Sequence, residues 1–230
     1  MGKLIPFCGF DETSEEVWKL TLHTIHVCGK ENPDFLLIPT SAFDDFNKGT
    51  LNTYNKAGCN VDKLLLSEPY ITEEIVAEKI RWADIISVPG GNVKYLMEMW
   101  KKSNAVKYLT EAYESGTVLT GSSAGSMCWF AESYDNCGVY DSKMFVDSMG
   151  LKDYVICPHY ESPDWVSFDE DVKTRKRNGI AIEDGAALCL IDGKNYILKA
   201  KGTETCWFFD SKNNFCKTDL SENEDLLLKI

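Results

Sequence analysis

The stretch Thr117-Val118-Leu119-Thr120-Gly121-Ser122-Ser123-Ala124-Gly125-Ser126-Met127 (TVLTGSSAGSM, 117–127) decides how this chain is read. TVLTG (117–121) is short, apolar and β-branched, as a buried strand is. A tight turn of small residues follows, and then the start of a helix. A strand that runs through such a turn into a helix is the repeating joint of an α/β sheet. Gly121-Ser122-Ser123-Ala124-Gly125 also satisfies G-x-S-x-G. In that pattern glycines allow a sharp bend, and the middle serine points its oxygen out of the turn.

The same alternation extends towards the N-terminus. LIPFCGF (4–10) reads as a strand. Thr13-Ser14-Glu15-Glu16 then fits a capping box, and Val17, Leu20, Thr24, Val27 and Cys28 recur at helical spacing until Gly29. FLLIPTSA (35–42), KLLLS (63–67) and ADIISVPGGN (83–92) are further strands. A polar helical stretch follows the first of these. Ile75, Ala77, Ile80 and Trp82 mark a helix before the third, and 93–115 reads as helix with a break near Ser103. Uniformly apolar strands separated by helices indicate a parallel sheet covered on both faces. Later, YVICPHY (154–160) and GIAIE (179–183) flank a charged, helix-like stretch. AALCLID and NYILKA form a hairpin turning at Asp192-Gly193, with CWFFD beyond. The expected fold is a single α/β domain. It has one open, mostly parallel sheet with helices on both faces, and antiparallel strands added near the C-terminus.

Composition narrows the function. The 230 residues are 44% apolar and 26% charged, with a net charge of −12. That balance argues against nucleic acid or an anionic membrane as partner, since both reward basic patches. No run of 18 uncharged apolar residues is present, and the N-terminus does not read as a signal peptide. The nine cysteines include no C-x-x-C pair, which reads as reduced thiols in the cytoplasm. Gly29-Lys30 and Gly193-Lys194 lack the rest of a phosphate loop. Three histidines without paired cysteines make no metal set. No cofactor is expected.

In an open α/β sheet, sites form beyond the carboxyl ends of the strands. PTSAFDD, PGGN, GSSAGS and PHY all fall there. If Ser123 is a nucleophile it needs a base. His23 and His26 lie in the first helix, so His159, ending a strand at the same sheet edge, is the candidate. A carboxylate should orient the imidazole. Asp135, Asp141, Asp153, Asp164, Glu183 and Asp184 are open to that role, with Glu183 and Asp184 best placed at the end of GIAIED. An oxyanion hole could draw on the N–H of Ala124 and on the Gly90-Gly91 loop.

GSSAG after a strand, PGGN before it, then PHY and GIAIEDGAA in order, resemble the S51 peptidase family, which includes peptidase E and the cyanophycinases. The resemblance spans roughly residues 35–200. It implies a fold like the class I glutamine amidotransferases, flavodoxin-like in its sheet, with serine in place of their elbow cysteine. It also implies Ser123 as nucleophile, His159 as base, Asp184 as acid, and Gly91 with Ala124 as oxyanion hole. Asn92 and Arg175 become substrate-binding candidates, with Arg177 close by. Ser122 stands where peptidase E has tryptophan. The implied activity is hydrolysis of small, Asp-containing peptides through an acyl-enzyme. Two alternatives are an amidotransferase-like amide hydrolase or transferase, and a non-catalytic ligand- or partner-binding protein. Cys128, five residues beyond Ser123, sits too late for a glutaminase nucleophile. The expected partner is a small peptide substrate, with a homodimer left open.

Overall fold

The computed structural model describes residues 2–10, 14–45, 48–138 and 142–230. Its first half follows the α/β alternation. Strand β1 (Lys3–Phe7) leads into helix α1 (Glu15–Cys28), and β2 (Asp34–Leu37) into a 3-10 turn (Pro39–Ala42) and α2 (Gly49–Lys56). Then come β3 (Asn60–Lys63), α3 (Glu73–Trp82), β4 (Ile85–Val88), α4 (Val93–Lys102), α5 (Ala105–Glu114), β5 (Val118–Ser122) and the short α6 (Ala124–Met127). Local chemistry sets the helix ends. Ser14 caps α1 by accepting from Val17 N, and Gly29 closes it in the left-handed region at φ 79°. Thr13, the other hydroxyl of the expected capping box, lies outside the described residues. The break near Ser103 falls between α4 and α5.

The second half comprises β6 (Phe130–Asp135), β7 (Met144–Asp147), β8 (Lys152–Tyr160), α7 (Phe168–Asp171), β9 (Gly179–Glu183), β10 (Ala186–Ile191), β11 (Lys194–Lys199), β12 (Cys206–Asp210), β13 (Cys216–Asp219) and α8 (Glu224–Leu227). These strands correct the expectation of one sheet. A seven-stranded sheet runs β11-β10-β1-β5-β4-β2-β3, and a six-stranded one runs β13-β12-β9-β8-β6-β7. In the first, β1, β5, β4, β2 and β3 are parallel and the β10–β11 hairpin adds antiparallel to β1. In the second, β6, β8 and β9 are parallel, with β7 and β12–β13 antiparallel at its edges. The architecture remains α/β and mostly parallel at each sheet's centre.

Period-two alternation decides which helices cover the first sheet. Ile5, Phe35, Leu37, Ile85 and Val118 face α1 and α2, where they pack with Leu20 and Tyr54. Leu4, Leu36, Ile86 and Leu119 face α3–α5, meeting Val76, Leu96, Trp100 and Leu109. Ile156, Ile180, Ile182 and Phe208 of the second sheet join this same cluster, so one core links the sheets. The third strand lies at Asn60–Lys63 and not at 63–67. It is a sheet edge, where polar residues are tolerated, and Leu64 and Leu66 are buried just after it.

Candidate active site

Ser123 occupies the one-residue joint between β5 and α6 at φ 53°, ψ −115°. Such a backbone costs a non-glycine residue about 1–3 kcal/mol and persists only if its surroundings enforce it. Here Ser126 N and Met127 N donate to Ser123 O at 2.8 and 3.2 Å, and Ser126 Oγ donates to it at 2.6 Å. The flanking glycines are steric necessities. A Cβ on Gly121 or Gly125 would lie 2.4 or 1.9 Å from Val88 O, so the bend presses its backbone against β4.

The PGGN loop runs beside this turn. A Cβ placed on Gly90 would come within 3.2 Å of Ser123 Cβ and 3.7 Å of its Oγ. Gly91, at φ 139°, abuts Ser41 O, where a Cβ would meet that oxygen at 2.2 Å. Ser41, fully buried in the 3-10 turn, fastens the loop. Its Oγ donates to Pro89 O at 2.8 Å and Gly90 O at 3.1 Å, and its carbonyl accepts from Asn92 N at 2.8 Å. Ala124 follows Ser123 as the first residue of α6.

His159 ends β8, which the structure puts in the second sheet, so the base candidate does not share an edge with Ser123 as expected. The register of β8 against β9 shifts between Cys157 and Tyr160, and His159 sits there at φ 49°. A bulge of this kind re-aims a side chain. The ring turns its Nδ1 to Asp184 Oδ1 at 2.5 Å. The other acids have different partners. Glu183 accepts from Thr205 N at 2.9 Å and Trp207 Nε1 at 2.7 Å. Asp135 accepts from Val93 N and Asn136 N, and burial pushes its carboxyl above the usual range. Asp153 pairs with Arg177, and Asp164 is exposed. Asp141 lies outside the described residues. Asp184 is thus the candidate acid in hydrogen-bond contact with His159.

Sequence reading missed three neighbours. Gly9, just past β1 at φ 60°, backs Asp184 so closely that a Cβ there would lie 2.4 Å from the aspartate Cβ and Oδ1. Cys8 is fully buried beneath the group. Its sulfur is 3.6 Å from Ser126 Oγ and touches the backbone of His159 and Ser123, and burial pushes the thiol up to about 11. Trp165 packs its ring 6.1 Å from that of His159, and the Lys143 ammonium lies over the same indole, 4.1 Å from its centroid. The only signal for Trp165 is its position, close after PHY, whereas Gly9 falls inside the strand expected at 4–10, which the structure ends at Phe7.

The two substrate-binding candidates have structural partners. Asn92 caps α4, its Oδ1 accepting from Tyr95 N at 2.9 Å while its Nδ2 donates to Cys137 O at 2.8 Å. Arg175 pairs with buried Glu132 of β6 and lies 4.7 Å over the Phe145 ring. Arg177 shares that glutamate and holds Asp153 at 2.5 Å. Both guanidinium groups thereby fasten the segment before β9 to the second sheet. His23 and His26 stay in α1, with His23 bonded to Tyr196 at 2.7 Å. Cys128 is fully buried and its thiol is raised by burial, which suits a packed residue and not a nucleophile. Among the described residues no cluster of His, Cys, Asp or Glu could hold a metal ion, and no helix is long and apolar enough to cross a membrane.

A serine on a strained strand-to-helix turn, beside a glycine loop at the carboxyl ends of parallel strands, defines an α/β protein of the nucleophile-elbow class. The model of peptidase family S51 matches residues 10–198, and the chain belongs to that family of peptidases. It is 30% identical over 169 residues to the uncharacterized peptidase YgaJ of Bacillus subtilis, covering 71% of each chain. It is 27% identical over 119 residues to the uncharacterized peptidase Lmo0363 of Listeria monocytogenes, covering 48% of this chain and 58% of that one. A solved peptidase from an acI-B1 Actinobacterium has the same fold, with a TM-score of 0.73 at 17% identity, over 96% of this chain and 94% of the other.

Proposed function

We propose that this chain is a serine peptidase acting on short peptides through an acyl-enzyme, with Ser123, His159 and Asp184 as its triad. The observation that carries the reading is the 2.5 Å contact from His159 Nδ1 to Asp184 Oδ1. With Nδ1 held by the carboxylate, Nε2 is the nitrogen left to take a proton from Ser123 Oγ. The Oγ attacks the peptide carbonyl as its proton passes to His159, and the carbonyl electrons move onto oxygen. Backbone N–H groups of Gly91 and Ala124 are the candidates to stabilise that oxyanion. The C–N bond then breaks as His159 returns the proton to the leaving amine. Water, deprotonated by the same imidazole, hydrolyses the ester and restores Ser123. Asp184 keeps the tautomer and stabilises the imidazolium.

The test is labelling with a fluorophosphonate, followed by peptide mapping, together with hydrolysis of a dipeptide panel. The wild-type protein should be modified at Ser123, and Ser123→Ala should take no label. Turnover by that variant should fall on the order of a million-fold, to background. Hydrolysis within tenfold of wild type by Ser123→Ala would reject the assignment.

A further inference from the structure

A cavity of about 160 Å³ opens between α1, α2 and the ends of β1, β2, β4 and β5. We propose that it is the subsite for the side chain of the residue whose carbonyl Ser123 attacks, and that it selects a bulky apolar side chain, leucine- or phenylalanine-like. The proposal rests on the serine-peptidase reading above.

Position is the first argument. Gly90 and Ser122 line the cavity and adjoin Ser123, the one so closely that a Cβ on it would lie 3.2 Å from Ser123 Cβ, the other as its chain neighbour. The tetrahedral intermediate fixes the directions around the reacting carbon. One substituent is Ser123 Oγ, one is the oxyanion at the backbone N–H groups, and one is the leaving nitrogen, which must face His159 to receive its proton. The remaining direction, away from His159, belongs to the acyl residue. His159, Trp165 and Lys143 belong to the second half of the chain. Every described residue lining the cavity comes from the first sheet, its connecting loops, α1 or α2.

Chemistry is the second argument. Phe7, Phe10, Leu20, Leu37 and Val88 supply apolar walls, and threonine hydroxyls from α1 and α2 complete them. No Lys, Arg, Asp or Glu is among the described lining residues. Tyr54, at the floor, directs its hydroxyl to Thr21 and Thr24 and stacks on Phe35 at 3.8 Å. An apolar cavity of roughly 150 Å³ accommodates a benzene ring. A carboxylate entering the same walls would lose its water and find no cation among the described lining residues. Arg175 and Arg177, the cations expected to receive an aspartate side chain, are both engaged on Glu132. The inference therefore replaces acidic by apolar selectivity.

The experiment compares kcat/KM for Phe-Leu, Leu-Leu, Ala-Leu and Asp-Leu, with fluorophosphonate labelling of Ser123 measured in parallel. Phe-Leu or Leu-Leu should exceed both Ala-Leu and Asp-Leu by about 10–200-fold, the range a filled apolar pocket gives. Thr53→Phe, which projects a ring from α2 into the cavity, should lower the Phe-Leu to Ala-Leu ratio at least ~10-fold. Thr50→Phe repeats the test from the same helix, and thermal melts identify a variant that fails to fold. Asp-Leu matching Phe-Leu, labelling without hydrolysis of any of the four, or a ratio unmoved in a folded filling variant overturns the subsite alone. No labelling and no hydrolysis overturns the serine-peptidase reading, and the subsite with it.

Discussion

Gly9→Ala tests whether Asp184 acts by position. The methyl group would lie 2.4 Å from Asp184 Cβ and Oδ1 and 2.5 Å from its Cγ. Carbon contacts settle at about 3.5–4.0 Å, so Asp184, its Cβ included, must retreat by roughly 1 Å. The contact includes Asp184 Cβ, which moves only with its backbone, so the half-exposed residue is pushed outward as a whole and its 2.5 Å contact with His159 Nδ1 stretches. A misplacement of about 1 Å in a catalytic constellation costs on the order of 100-fold in turnover. The left-handed backbone at φ 60° adds about 1–2 kcal/mol of strain for alanine. In a chain of this size that lowers Tm by roughly 2–8 °C. The assay is steady-state hydrolysis of the best dipeptide substrate, with a melt on each protein. kcat should fall about 100-fold with KM nearly unchanged. A double-mutant cycle isolates the route. In an Asp184→Gly background neither Cβ nor carboxylate remains to clash, so Gly9→Ala should cost less than about threefold. An equal loss in both backgrounds, or a single variant within threefold of wild type, would refute the positioning argument.

Two further outcomes follow from the same contacts. Asp184→Asn should lower kcat by about 10⁴-fold, whereas Glu183→Gln, whose carboxylate serves Thr205 and Trp207, should change kcat less than tenfold. The reverse ranking, read by the same kinetics, would transfer the acid role to Glu183. Burial raises the thiol of Cys8 from 9.0 to about 11 and that of Cys189 to about 12. A raised pKa in the fold means stability fully present below about pH 9 and lost as pH climbs through 9 to 11 and beyond. For Cys8 that linkage is on the order of 3 kcal/mol. Denaturant midpoints should hold from pH 7 to 8.5 and decline above pH 9, less steeply in Cys8→Ala. A wild-type midpoint unchanged through pH 11 contradicts this.

What the sequence revealed depended on how uniform each element is. TVLTG and ADIISV are buried on both faces, so an apolar run sufficed to find β5 and β4. FAESYD forms β6 although Glu132 and Asp135 interrupt it, because Arg175 and Arg177 neutralise that glutamate from a distant segment. Without β6 and the half-exposed β7 and β13, the second sheet had too few visible strands to be separated from the first. Missing it had a chemical consequence, since Arg175 looked free to bind substrate only while its partner strand was unseen. Asn92 carries a structural role that its position already indicated. An asparagine directly before an apolar helix is an N-cap first, and the structure gives it that role. The turn at Ser123 and the strand ends at His159 and Asp184 were legible because turn chemistry and strand ends are local features. Gly9, Cys8, Ser41 and Trp165 act through contacts between elements, which spacing along one chain does not encode.

The chain order of the proposed triad, serine, histidine, acid, follows from how the two sheets are joined. Ser123 closes β5, the last parallel strand that the chain contributes to the first sheet. The next three strands, β6, β7 and β8, build the second sheet, so a base at the carboxyl end of β8 comes later in sequence. β9 belongs to the second sheet and β10 to the first, and only Asp184 and Gly185 separate them. Asp184, the candidate acid, therefore stands on the link by which the chain returns, next to the sheet that carries Ser123. Gly185, at φ 86°, makes that return tight, and its N–H donates to Cys8 O at 2.8 Å while Cys8 N donates to Ala186 O at 3.1 Å. Cys8 thus ties the return link to β1 and, through its sulfur, meets the backbone of both His159 and Ser123. A residue buried under all three groups must be small and must not charge, and a thiol held protonated to about 11 meets both demands. The geometry of the site is in this sense a property of the sheet junction. A substitution that loosens the β9–β10 link should separate acid from base while leaving each sheet's own core packed.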